Sequence, residues 1–90
     1  MYWDVVSVEA LEAYKIKVKF SDNLEGVVNI SKKWLTGVFA PLIDMNLFSK
    51  VYVDKESSAV TWDIDGEPVD LAPDTMYHEI KNNKGIYILK

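Results

Sequence analysis

The residues best equipped for chemistry lie in the run Asp63-Ile64-Asp65-Gly66-Glu67, followed by Asp70 and Asp74. Carboxylates at alternate positions beside a glycine invite a calcium reading. An EF-hand loop with Asp65 at its fifth position needs an acid at its first and a bidentate glutamate at its twelfth. Thr61 and Ala72 stand there instead, so the run reads as a turn and not as a metal site. His78 is the only histidine, and the chain has no cysteine. Disulfides and thiolate metal sites are thereby excluded, and a general base would need a nucleophile and an orienting group beside it. Next to Met76 and Tyr77, His78 reads as a half-exposed helix residue. None of the serines stands in Gly-x-Ser-x-Gly, and Gly26, Gly37, Gly66 and Gly85 are scattered. Neither a nucleophile elbow, a phosphate loop nor a dinucleotide fingerprint is present. The expectation is a non-enzymatic chain with no cofactor and no metal.

Charge is more informative than motif. Residues 1–53 carry six acids and six lysines, whereas residues 54–79 carry eight acids against Lys55 alone, a balance of −7. Lys81, Lys84 and Lys90 return the sum to −4. There is no arginine, hence no guanidinium fork to read phosphate or guanine. An acidic chain gains nothing from counterion release on DNA, so direct nucleic-acid binding is not expected. Lys15, Lys17 and Lys19 alternate with Tyr14, Ile16, Val18 and Phe20. Alternation sends lysines and aromatics to opposite faces of a strand, where charge and stacking do not converge on one strand of nucleic acid.

The elements that must position these residues follow from periodicity and turn chemistry. Period-two patterning makes Tyr14–Phe20 the clearest strand. Asp4–Ala10 pairs with it, Val6, Val8 and Ala10 inward, and Leu24, Val28 and Ile30 mark a third strand after the Ser21-Asp22-Asn23 turn. Ser31 is a candidate N-cap for a short helix through Trp34 and Leu35, ended by Gly37. Phe39–Phe48 is a compact apolar segment of unassigned form. Ser49–Asp54 and Ala59–Ile64 read as paired strands. Asp65-Gly66 is a type I′ hairpin signal, because both turn positions need positive φ, and Pro68 demotes the following strand to an edge. Pro73 and Asp74 suit a helix N-terminus, with Met76, Tyr77 and Ile80 on one stripe. Asn82–Gly85 breaks that helix before a last strand, Ile86–Leu89, that ends on Lys90. The expected fold is one α+β domain over residues 1–90: a small, mostly antiparallel sheet, a β-meander plus a hairpin, with one or two short helices.

Two features survive as binding candidates. The acidic block, with Asp63, Asp65, Glu67, Asp70 and Asp74 as its centre and Trp62 as a nearby apolar anchor, suits a basic protein surface or imitates a phosphate backbone; simple solvation of hairpin and helix ends accounts for it equally. The strand bearing Ile86 and Ile88 offers unpaired backbone for strand addition or homodimerisation if it lies at a sheet edge. In the interior it would only complete the sheet, and the sequence leaves both open.

The order of these pieces resembles the bacterial domain-of-unknown-function family 2442 over about residues 4–79. The resemblance is carried by Val5-Val6-Ser7-Val8, Tyr14 to Phe20, Gly37 to Asp44, Phe48 to Asp54, Val60-Thr61-Trp62, Val69 to Asp74 and Met76-Tyr77. It implies a small α+β domain, sometimes placed ahead of a helix-turn-helix, and gene neighbourhoods suggestive of toxin–antitoxin pairs. It brings no catalytic residues. Two departures stand out: no room for a helix-turn-helix after residue 79, and the additional strand Ile86–Leu89.

The resulting expectation is a cytoplasmic protein-interaction module, antitoxin-like or a regulatory partner of a small basic protein. An acidic mimic of nucleic acid and a DNA-binding regulator without its helix-turn-helix are the alternatives. The Met1-Tyr2-Trp3-Asp4 start lacks the basic region of a signal peptide, and no apolar run is long enough to span a membrane.

Overall fold

Strict alternation builds the first sheet. In the computed structural model, which describes residues 3–89, β1 (Val5–Leu11), β2 (Lys15–Phe20) and β3 (Glu25–Ile30) form an antiparallel meander. Met1, Tyr2 and Lys90, on which the start of the chain and the end of its last strand were read, lie outside the described residues. Ile16, Val18, Phe20, Val28 and Ile30 are buried on one face. The lysines of β2 take the other face, opposite Glu9 (to Lys17) and Glu25 (to Lys19). One expectation fails in β1. The register shifts between Val5 and Ser7, so Val5 is buried and Val6 is 54% exposed. A bulge sets two residues against one and reverses the phase of alternation beyond it.

The middle of the chain is less regular than its composition suggests. No helix forms over Trp34-Leu35. Ser31 Oγ accepts the Lys33 N–H at 3.2 Å, and Trp34 and Leu35 bond back only three residues. Thr36 is fully extended at φ −130°, ψ 170°, which stops the turn from propagating. Gly37, at φ +59°, opens the next segment and does not close a helix. A 3-10 segment, Gly37–Ile43, carries Pro41 and buries Leu42, and it leads into α1 (Met45–Phe48). Asp44 caps α1 by accepting the Asn46 N–H.

A second, three-stranded sheet follows: β4 (Tyr52–Val53), β5 (Val60–Ile64) and β6 (Glu67–Leu71), in the order β4-β5-β6. The strand expected over Ser49–Asp54 shrinks to two residues, because Ser49 and Lys50 bond back onto α1. The β5–β6 hairpin turns at Asp65 (φ 54°) and Gly66 (φ 82°), the positive pair a type I′ turn requires. Pro68 lies on an edge strand, where a missing N–H is harmless.

α2 (Pro73–Asn82) starts on Pro73 and buries Met76, Tyr77 and Ile80. It packs on β3 through Gly26, where an added Cβ would collide with Ile80 Cγ2. The chain then enters β7 (Ile86–Leu89), which joins the first sheet parallel to β3, giving the order β1-β2-β3-β7. The α+β class holds, with two sheets in place of one and a single parallel pair. The two inner faces share a core in which aromatic rings meet in series: Tyr14 on Phe48 (5.6 Å), Phe48 on Trp62 (5.6 Å), and Phe20 edge-on to Tyr77 (5.2 Å). Among the described residues, no helix is long and apolar enough to cross a membrane.

Candidate partner-binding surfaces

The acidic block does not form one surface. Pleating turns Asp63 and Asp70 away from the core side of the second sheet: Asp63 lies opposite Pro68, and Asp70 opposite Thr61, which is itself buried and also faces Tyr52. The Tyr52 hydroxyl donates to Asp63 Oδ1 at 2.8 Å. That bond to a carboxylate raises the pKa of the phenol above its ordinary value, because ionising it would set two anions together. Asp74 sits apart, in the first turn of α2. Asp54, at the start of the block, accepts the Glu56 N–H and closes a turn, a structural role. Asp65 and Glu67 remain, at the hairpin tip.

That tip leans on the 3-10 segment. Between them lies an open groove of about 440 Å³, lined by Gly37, Val38, Pro41, Ile64, Val69 and Pro68, with Asp65 and Glu67 at its side. Val38 is 65% exposed, the largest exposure among the big apolar side chains of the described residues, and Ile43 in the same segment is 47% exposed. Apolar walls with two carboxylates beside them suit a side chain that is apolar along its length and cationic at its end or neighbour. Sequence reasoning found the carboxylates and missed Val38, Pro41 and Val69. The 3-10 segment has no periodicity to mark an outward residue. The groove closes across more than thirty positions of chain, from Gly37 to Val69.

Trp62 is a correction. It is 1% exposed, and its Nε1–H donates to the Phe48 carbonyl at 2.9 Å. A buried indole with its one donor satisfied is a core residue, so it cannot anchor a partner. His78 is exposed on α2, with its ring 6.3 Å from that of Trp3 and 5.7 Å from that of Tyr77.

Ile86 and Ile88 occupy the open edge of the first sheet, 46% and 53% exposed, while Tyr87 and Leu89 turn inward. Beside them lies a groove of about 480 Å³ that also takes in Glu79 and Asn83 of the α2 end. Burial and the Glu79 carboxylate together raise the Tyr87 phenol above its ordinary pKa. A third groove of about 300 Å³ lies where the Trp34–Phe39 ring pair meets the start of α2 and β7. Among the described residues, no group of three or more His, Cys, Asp or Glu side chains is placed to hold a metal.

A family model described as "Protein of unknown function (DUF2442)" matches residues 5–82. The match runs from β1 to the end of α2, taking in the meander and the whole second sheet, and leaves β7 outside it. No curated protein and no solved structure matches the chain.

Proposed function

The chain belongs to the DUF2442 family, and from that premise we propose that it is a non-enzymatic protein-interaction module. Its hairpin-tip groove takes an apolar residue from a basic segment of a small partner, in an antitoxin-like or regulatory pairing. The observation that carries this reading is the coincidence, in one groove, of exposed Val38 and Pro41 with Asp65 and Glu67. Uncompensated charge gives orientation and a fast encounter, and desolvated apolar contact gives affinity. An acidic mimic of nucleic acid would need its carboxylates in a continuous row. Here the five divide among the sheet face, the hairpin tip and the helix start, which favours a protein partner.

Capture of the tagged chain from its own host tests the proposal. The expected result is a small basic protein recovered at low salt and depleted at high salt. Replacing Asp63, Asp70 and Asp74 by their amides leaves that recovery intact under this reading, and abolishes it under the mimic. A chain that comes out alone at every salt concentration contradicts both.

A further inference from the structure

Four strands form the outer edges of the two sheets, and three of them are protected. β1 runs alongside β4, carries the Val5/Ser7 bulge, and donates its Val5 N–H to Ser58 O. β4 has only two residues. β6 contains Pro68 and Asp70. Bulges, brevity, proline and charge are the usual defences of an edge. β7 has none of them: Ile86-Tyr87-Ile88-Leu89 carries no charge and no proline.

The hydrogen bonds of β7 show which of its backbone groups are spent. Val27 N–H donates to Gly85 O and Ser31 N–H to Leu89 O, both at 2.8 Å. In a parallel pair, alternate residues turn both polar groups to the same neighbour. Gly85, Tyr87 and Leu89 therefore serve β3, and Ile86 and Ile88 point theirs away from the sheet. Ile86 N–H closes the preceding turn onto Asn83 O. The Ile88 N–H and the Ile86 carbonyl are left facing outward.

We infer that β7 pairs antiparallel with β7 of a second copy of this chain, about a two-fold axis at Tyr87. The run Ile86-Tyr87-Ile88 is palindromic about that axis, which is what an isologous interface requires. Each Ile88 N–H meets the other copy's Ile86 carbonyl, and each Ile86 side chain lies opposite an Ile88 on the same face. Val27, the β3 neighbour of Ile86, extends the apolar patch on both sides of the seam. The product is a continuous eight-stranded sheet. A four-residue seam buries less than the roughly 1,200–2,000 Å² of a standard stable interface, so the dimer is weak and concentration-dependent. The inference does not rest on the partner groove, which lies at the other sheet.

Sedimentation across a concentration series tests it. The expected result is a shift from 10.3 kDa toward twice that mass. Each copy carries −4, so added salt screens repulsion and strengthens the dimer, opposite to its effect on a basic partner. Ile88→Pro removes the outward N–H without touching a bond to β3, and weakens association tenfold or more. Should that variant fail to fold, Ile88→Lys, which keeps the backbone, carries the same expectation. The register has its own test, because the chain has no cysteine. Tyr87→Cys places two thiols across a non-hydrogen-bonded pair, with Cα atoms about 4.5 Å apart, within disulfide reach, and cross-links on oxidation. Ile86→Cys, offset from its own copy, cross-links more slowly. A monomer at every concentration, or a dimer indifferent to both Ile88 variants, overturns the inference.

Discussion

The two sheets bury the same kind of face and expose opposite kinds. On the first, Lys17 lies across from Glu9 and Lys19 across from Glu25, so the outer charges answer one another within the sheet. On the second, Asp63 and Asp70 share the outer face with Tyr52 and Pro68, and the hairpin tip adds Asp65 and Glu67. No lysine lies between Lys55 and Lys81 to offset them. Cross-strand opposite charges contribute a few tenths to about 1 kcal/mol each and complete a surface on its own terms. Uncompensated ones call for a cation from outside. In the function proposed above, the first sheet is the scaffold and the hairpin tip of the second meets the partner.

That division can be broken most severely at the joint between the sheets. Trp62→Ala empties the site that β5 packs against Phe48 and deletes the bond to the Phe48 carbonyl. The expected loss is about 3–5 kcal/mol, much of the roughly 5–10 kcal/mol a domain this small holds. Denaturant unfolding should then find both sheets melting together, whereas sequential melting would make them separate units. Gly26→Ala strikes only the scaffold. Its Cβ meets Ile80 Cγ2 and lies 2.9 Å from Gly85 O, and overpacking of that kind costs about 1–3 kcal/mol. Partner capture by the folded fraction should be unchanged.

A smaller effect runs the other way. Among the described residues, Asn29 Oδ1, next to the end of β3, is buried without a hydrogen-bond partner. Asn29→Val removes that acceptor and suits the strand, and should raise the unfolding midpoint by about 1 kcal/mol in stability. The least effect lies in acid. The Tyr77 hydroxyl donates to Asp22 Oδ2 at 2.5 Å, and with the Leu24 N–H it holds the Asp22 pKa below its ordinary value. A depressed carboxylate stabilises the fold above its unfolded pKa, and that contribution is lost as pH falls through the folded value. The stability gap between the wild type and Tyr77→Phe should therefore be widest near neutrality. It should narrow below the ordinary carboxylate range in a pH series of melts.

How much of this was legible in the sequence depended on local chemistry. Asp65-Gly66 announced its turn because positive φ is a local demand, and Pro73 opened α2 for the same reason. The meander was legible because lysines alternate with Ile16, Val18 and Phe20. Val6 was misassigned because a bulge is a two-strand event, visible only once Val5 and Ser7 have partners. The helix expected at Trp34 failed on one residue, Thr36, whose extended backbone nothing nearby foretells. Trp62 looked eligible as an anchor because an indole suits interface and core alike, and only the Phe48 carbonyl decides between them. The carboxylates of the groove could be read, but its apolar wall comes from a segment distant in the chain.

The central claim is that the hairpin tip, and not the sheet face or the β7 edge, meets the partner. Three baits in the native host test it side by side: the wild type, Val38→Asp with Glu67→Lys, and Ile88→Pro. The account predicts one basic protein held by the wild type and by folded Ile88→Pro, released by salt, and lost from the groove double variant at unchanged thermal stability. Equal recovery of that protein on all three folded baits would contradict it.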